Sequence, residues 1–548
     1  MTSSASAGKP TESKFTLTVV HNNDGESDLL PSEQDADPGA GSISRFGSVV
    51  EQLRREALTG PTKSKSKTGV ITITSGDNFL ASPELQASFD KGVPWYDTIA
   101  LDAIDYDAFV IGNHEFDFGP DVLANFIEGF EGGDDVFLSA NLDFSNEPSL
   151  QALVDEGRIA KSTVIKERGE RIGIVGATTP ELNEVTSPGD VIVDPDVAGA
   201  VQAEVDALTA QGVEIILVSS HLQDINNELD LVTELTDVDA IIGGGGGEDI
   251  ANNYPLTAED ADGVIVPVVT VPGDYFDVGR LVLDFDKDGN VIGFGGGLVP
   301  VTSEAPQDPF LLANVEKPVA DYLAELGQDI IATSEVGLNG VRVDVRSRET
   351  NVGNLMTDGM LAAATARAGE FGAPLPDVAL QNGGGIRNDS VIGPGEISML
   401  DTFDIASFAN FVAVLDPVST ADFVAAVEHG LSGLPNAAGP FAQWGGLTVT
   451  YDPTATAGSR VIDLVLDDGT TVVEDGGIVS VDPVVVATID FLAGGNDGYD
   501  MFESYDFTQI GISYQQSLAV YIESLGTITA SDYADPVNIG ERTRIIPV

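Results

Sequence analysis

Six short runs rich in apolar residues punctuate the first half of the chain: Phe15–Val20, Gly69–Thr72, Ala108–Ile111, Arg171–Gly176, Val213–Val218 and Val238–Ile242. Each is too short for a helix and gives way to polar or glycine-rich residues, as a strand does where it enters a loop. Helical spacing appears between them. Ile43, Phe46, Val49, Val50 and Leu53 share one face, and Val122, Leu123, Phe126, Ile127 and Phe130 share another, opened by Pro120. Val201, Val205 and Leu208 form a third face, closed by Gly212. Strands alternating with helices predict a layered α/β domain. Two further β-type stretches, Val264–Val271 and Gly279–Asp284, are expected to pair near the turn Asp286–Asn290 and to end that domain. A proline-marked joint (Pro306 to Pro318) then leads into a helix around Val319–Leu326. From about Ile330 a second α/β pattern begins, with a long helix over Asn354–Ala366. The expected organisation is a disordered tail (1–13), a first domain (14–304), a linker with a helix (305–329) and a second α/β domain (330–548).

Composition agrees with two domains and narrows the partners. A chain of 548 residues exceeds one hydrophobic core. Its 42% hydrophobic content suffices for packed globular domains. Against 88 acidic residues stand 25 basic ones, a formal charge of −63. Such a surface repels phosphate backbones and anionic lipid, which argues against nucleic-acid or membrane partners. It suits high salt and points to an extracellular or cell-envelope setting. The chain has no cysteine, so disulfides, thiolate metal sites and cysteine nucleophiles are excluded. Thr2–Lys14 is polar with no apolar signal-like core, and no stretch is long enough to span a membrane. Such a start is compatible with a removed leader, with leaderless export and with a cytoplasmic location.

The chemistry sits where polar residues follow the apolar runs. Asp24 follows the first, Asp77 the second, and Asn113, His114, Glu115 and Asp117 the third. His221 follows Val213–Val218, and five glycines, Gly243–Gly247, follow Val238–Ile242. In α/β sheets ligands bind beyond the carboxyl ends of strands, where such loops converge. Carboxylate, amide and imidazole donors converging there make a metal site, and a carboxylate can bridge two ions that clamp a phosphoryl group. The chain has four histidines, of which His21 and His429 read as structural. Asp117 either orients His114 or caps the helix opened at Pro120.

The segments Asn23-Asp24-Gly25-Glu26, Ser75-Gly76-Asp77-Asn78-Phe79 and Gly112-Asn113-His114-Glu115-Phe116-Asp117 resemble the calcineurin-type metallophosphatase domain of the 5′-nucleotidase family. Three later segments resemble that family's C-terminal substrate domain: Arg348–Leu355, Gln381-Asn382-Gly383-Gly384-Gly385-Ile386-Arg387, and Phe491–Tyr499. The resemblance implies a four-layer αββα first domain and substrate bound between the two domains. It implies a divalent-metal phosphoesterase with two ions, Asp77 as bridging ligand, and Asp24, Asn113 and His221 as further ligands. His114 becomes the transition-state stabiliser or acid, paired with Asp117. Phe408 and Phe491 would sandwich the base and Asn382 would contact it. Arg346, Arg387 and Asp497 would hold phosphate and ribose. Read without the resemblance, Phe408 and Phe491 are ordinary core residues.

The chain departs from the family pattern at two places. Asp-x-His at the first strand is here Asp24-Gly25-Glu26, and Gly-His-x-His after the fifth is all glycine, followed by Glu248 and Asp249. One explanation is carboxylate for imidazole, through Glu26 and Glu248 or Asp249, giving a harder site for Mg2+, Mn2+, Ca2+ or iron over Zn2+. The other is loss of a metal position. The expected activity is hydrolysis of nucleoside 5′-monophosphates or related esters. The rivals are a broad phosphatase, a cyclic-nucleotide phosphodiesterase and a non-catalytic nucleotide-binding protein.

Overall fold

The computed structural model describes residues 13–32, 37–59, 67–131, 135–186, 188–246, 250–408, 410–480, 482–536 and 544–548. The expected tail, residue 13 apart, lies outside the described residues. The chain divides into two compact units, Met1–Leu80 with Glu84–Asp321, and Tyr322–Val548 with Ala81–Pro83. The proline-marked joint is helical: Pro309–Leu311, Leu312–Glu316 and Lys317–Gln328 follow one another without a gap, and the division falls inside the last.

In the first unit a seven-stranded sheet runs in the order Val291–Pro300, Asp277–Phe285, Phe15–Asn22, Lys67–Thr74, Ala108–Val110, Phe137–Leu138, Ile159–Ala160. A six-stranded sheet runs Leu256–Glu259, Ile265–Val269, Ala240–Ile242, Ile215–His221, Glu170–Thr178, Ser162–Glu167. Leu17, Val19, Ile71 and Ile73 of one sheet share a core with Ile172, Ile174, Leu217 and Ile242 of the other. The inner faces therefore pack on each other, and each outer face must be covered. On one side the helix Ile43–Thr59 buries the five residues expected of it. Phe126 there meets Phe79 edge-on at 4.8 Å and Phe109 stacks on Phe137 at 4.7 Å. On the other side Val201, Val205 and Leu208 of the helix Val197–Ala210 pack on Val175, Val218 and Ile241. This is the expected αββα stack.

One expectation needs correcting. Gly279–Asp284 does not pair with Val264–Val271. The turn Asp286–Asn290 joins Asp277–Phe285 to Val291–Pro300, while Ile265–Val269 lies parallel to Ala240–Ile242 in the other sheet. Val291–Pro300 contains three consecutive glycines, Gly295–Gly297, and so lacked the apolar run that marks a strand.

The second unit is built on a five-stranded mixed sheet, Ala442–Gly445, Val378–Asn382, Val486–Ile489, Phe411–Leu415, Phe507–Ser513. The helix Asn351–Phe371 packs on it, capped by Thr350 and ended by left-handed Gly372. A second five-stranded sheet and a three-stranded sheet complete the unit.

Candidate metal centre and nucleotide cluster

Parallel register carries the polar loops of the first unit to one edge. Asn22 lies beside Thr74, and Thr74 beside Phe109, so the loops holding Asp24, Asp77 and Asn113 leave the sheet together. In the other sheet Ser219 lies beside Ile242, which brings His221 level with Gly243–Gly246. Backbone bonds lace the first two loops: Asp24 N–H donates to Gly76 O at 2.9 Å and Glu26 N–H to Asp77 O at 3.0 Å. Asp24, Glu26 and Asp77 sit in the left-handed region with φ of 50°, 48° and 52°. Non-glycine residues adopt it rarely, and mostly where a site demands a particular side-chain direction.

The result is two ligand groups sharing one carboxylate. Asp24, Asp77 and His221 can each offer a donor within 4.8 Å of the others, and so can Glu26, Asp77 and His114. His221 Nδ1 lies 2.7 Å from the carbonyl of Ser75, which can only accept, so Nδ1 carries the proton. The lone pair on Nε2 then faces Asp77 Oδ2 at 2.9 Å, buried and without a hydrogen-bond partner. A lone pair against a carboxylate repels unless a cation or a proton lies between them. With no cation, burial opposes protonation of His221, but the charges of Asp77 and Asp24 prevail and push its pKa up to about 10. Burial likewise raises Asp24, and it pushes Glu26 up to about 7, with Asp77 and Asp24 adding to the rise against the opposing pull of His114. Three crowded acids and an orphaned imidazole nitrogen fit divalent cations, and Asp77 belongs to both groups.

His114 Nδ1 lies 2.7 Å from Asp117 Oδ2, and Asp117 Oδ1 accepts from Thr186 Oγ1 at 2.8 Å. Burial disfavours the imidazolium, yet Asp117, Asp77 and Glu26 together hold its pKa well above the usual range. Asp117 does not cap the helix Pro120–Glu128, whose N-cap is Gly119 with no side-chain bond. Of the two roles weighed for Asp117, only the orienting one has a contact behind it. His114 N–H also donates to Asp77 Oδ1 at 2.9 Å. Gly112 is required here, because a Cβ on it would lie 2.1 Å from that same oxygen.

Glu115 is the residue the sequence motif contained but left without a role. Fully buried, it accepts through Oε2 from Asp77 N (3.0 Å) and Gly112 N (2.7 Å). Through Oε1 it accepts from Asn78 N (2.7 Å) and Asn78 Nδ2 (3.0 Å). It thus ties the Asp77 loop to the Asn113–His114 loop. Asn113 Oδ1 accepts from Gln223 Nε2, a contact nothing local announces. Gly247, Glu248 and Asp249 lie outside the described residues. His21 is structural as expected: buried, 2.7 Å from Tyr254 Oη, its pKa drawn down to about 3 by burial.

The second unit gathers the other candidates. Asn382 closes the strand Val378–Asn382, and its Nδ2 donates to Asp497 Oδ2 at 2.7 Å. Asp497 is itself left-handed (φ 57°), and its carbonyl lies 2.9 Å from His429 Nε2, so His429 props this loop as well as packing edge-on against Tyr499. Gly383 must be glycine because a Cβ would meet the carbonyl of Val345 at 2.3 Å, against the backbone of Arg346. The Arg346 Nε is buried and unpartnered. Burial, then the nearby Arg342 and Arg387, draw its pKa down to about 10, with Asp497 offsetting part. Three guanidinium groups thus feel one another's charge in an otherwise acidic chain. Arg342 was not among the sequence candidates, since an exposed arginine on a one-turn helix carries no signal of its own. The Arg387 guanidinium lies 5.4 Å from the Phe408 ring centroid. Phe408 and Phe491 are half-buried against the core, and neither stacks on another ring among the described residues.

Residues 330–504 match the model of the 5′-nucleotidase C-terminal domain. The chain is similar to the 5′-nucleotidase of Diplobatis ommata, 29% identical over 94% of this chain and 88% of that protein. It is 28% identical over 90% of its length to the trifunctional nucleotide phosphoesterase of Bacillus subtilis, of which it spans 33%. The crystal structure of the 5′-nucleotidase precursor from Thermus thermophilus superposes with a TM-score of 0.73 at 30% identity, covering 97% of this chain and 99% of that one.

Proposed function

This chain belongs to the 5′-nucleotidase family and hydrolyses phosphate esters of nucleotides; on that premise we propose that nucleoside 5′-monophosphates are its substrates and two divalent cations its cofactors. The observation that carries the reading is Asp77, common to two ligand groups. Asp24, Asp77, Asn113 and His221 would hold one or both ions, and Glu26 joins Asp77 on the side of His114. The cations supply Lewis acidity toward a phosphoryl oxygen and lower the pKa of water. His114, its Nδ1 proton held by Asp117, presents Nε2 as donor to the charge that develops on the phosphate. In the second unit Arg346 and Arg387 would take the phosphate as forked donors, with Arg342 adding charge. Asn382 and Asp497 offer an amide and a carboxylate to base and ribose, and Phe408 and Phe491 offer stacking faces. Carboxylates outnumber imidazoles in the first unit, which favours Mn2+, Mg2+, Ca2+ or iron over Zn2+. The acidic surface suits work outside the cell or in its envelope. No helix among the described residues is long and apolar enough to cross a membrane.

The test is turnover of AMP and p-nitrophenyl phosphate across a panel of divalent metals, with and without chelator, in wild type and Asp77→Asn. A nucleotidase gives metal-dependent turnover with a higher kcat/KM for AMP, abolished in the variant together with bound metal. Equal kcat/KM on both substrates favours a broad phosphatase, and wild-type metal content in Asp77→Asn removes the metal-site reading.

A further inference from the structure

The loop after Ala240–Ile242 reaches the cluster as bare backbone. Gly245 N–H donates to Asp24 Oδ2 at 2.9 Å. A Cβ at Gly245 would lie 2.8 Å from His221 Nε2 and 2.9 Å from Gln223 N, and its φ is 92°. Only glycine fits there, so among the described residues Gly243–Gly246 brings no side-chain ligand to the ions. The glycine backbone thus stands against His221 and the backbone of Gln223.

Gln223 stands at that place. It follows His221 by two residues and holds φ at 73°, in a region that glutamine seldom occupies. Leu222, between them, is buried in the apolar cluster under the helices, so the left-handed turn at 223 redirects the next side chain back to the strand ends. There the Gln223 amide meets the Asn113 Oδ1, the one oxygen Asn113 can offer a cation. A half turn about its last bond presents Oε1 at the same point in place of Nε2. Two amide oxygens so placed are hard, neutral donors of the kind Mg2+, Mn2+ and Ca2+ accept.

Resting on the metal-site reading above, we propose that Gln223 is a metal ligand in this chain, its amide oxygen completing the cation site of Asp77, Asn113 and His221 where the glycine loop provides no side chain. The competing role, a donor that merely orients Asn113, makes the opposite prediction for one variant. Gln223→Glu keeps an oxygen donor and adds charge but has no N–H for Asn113.

The experiment is calorimetric titration of chelator-stripped protein with Mn2+, giving affinity and stoichiometry, beside thermal unfolding in excess chelator. Gln223→Ala is expected to weaken one Mn2+ site by about tenfold or more, the scale of a lost ligand or its support. Gln223→Glu is expected to tighten the same site. Gln223→Gly, which relieves the left-handed backbone, should unfold at a higher temperature than wild type in chelator yet bind that ion as weakly as Gln223→Ala. Unchanged Mn2+ affinity in Gln223→Ala or Gln223→Gly, or weakened affinity in Gln223→Glu, overturns the proposal. Asp77→Asn in the same series separates the failures. If it loses Mn2+ while the Gln223 variants do not, the metal site stands and Gln223 is not part of it.

Discussion

Replacing Glu115 by glutamine tests whether the two ligand loops are held in place by one buried carboxylate. Its oxygens accept four N–H bonds, two at each oxygen, from Asp77, Gly112 and twice from Asn78. An amide keeps one accepting oxygen and sets an NH2 where the other was. Whichever way it turns, two donors lose their acceptor and face another donor. Hydrogen bonds to a charged group contribute about 1.5–3 kcal/mol each, so the change removes about 3–6 kcal/mol before relaxation. If the loops recover half by shifting, about 1.5–3 kcal/mol remains, equal to roughly ten- to a hundredfold in any equilibrium that needs Asp77 and Asn113 in register. Metal affinity should therefore fall by about 10–100-fold, as for outer partners of metal ligands generally. The assay is Mn2+ titration of stripped protein together with kcat/KM for AMP at saturating metal. Thermal unfolding in chelator, with Glu115→Ala alongside, reports the loss of fold stability separately. Glu115→Gln protein with wild-type metal affinity and wild-type kcat/KM would refute the reasoning.

His114→Ala should retain bound metal and lose about a hundredfold or more in kcat, the usual scale for a missing acid or oxyanion donor. A change confined to KM would take His114 out of the chemistry. Phe491→Ala should weaken nucleotide binding by about 1–3 kcal/mol, the range for base–aromatic stacking, and leave p-nitrophenyl phosphate hydrolysis nearly unchanged. Equal losses on both substrates mean that Phe491 is core. Chelated enzyme should regain activity better with Mn2+, Mg2+ or Ca2+ than with Zn2+. Glu26→His should shift that order toward Zn2+, and a Glu26→Ala protein with unchanged metal content, affinity and rate makes Glu26 a solvated acid. Arg342→Ala should raise KM for AMP at low salt more than at high salt, since it acts by charge near Arg346 rather than by a buried fork.

The runs Phe15–Val20 and Val213–Val218 marked strands because burial on both faces needs consecutive apolar residues, and that demand is local. Gly-Asn-His-Glu was legible as a resemblance, although the fit of Gly112 against the Asp77 carboxylate joins two loops distant in sequence and was not. The pairing of His114 with Asp117 three residues on fits within one turn of chain. The helix faces of Ile43–Thr59 and Val197–Ala210 were equally readable from spacing alone. Sheet register decided the rest. That Val291–Pro300, not Val264–Val271, completes the hairpin depends on backbone pairing, to which its glycines contribute as well as any residue while carrying no hydrophobic signal. Glu115 reaches Asp77 across 38 residues, Gln223 reaches Asn113 across 110, and Asn382 reaches Asp497 across 115. None of these contacts follows from periodicity, which has no memory beyond a turn or a strand. They arise because parallel strands in register deliver distant loops to one edge within each unit. Left-handed residues, 24, 26, 77 and 223 in the first unit and 497 in the second, then turn single side chains toward the cluster of their own unit.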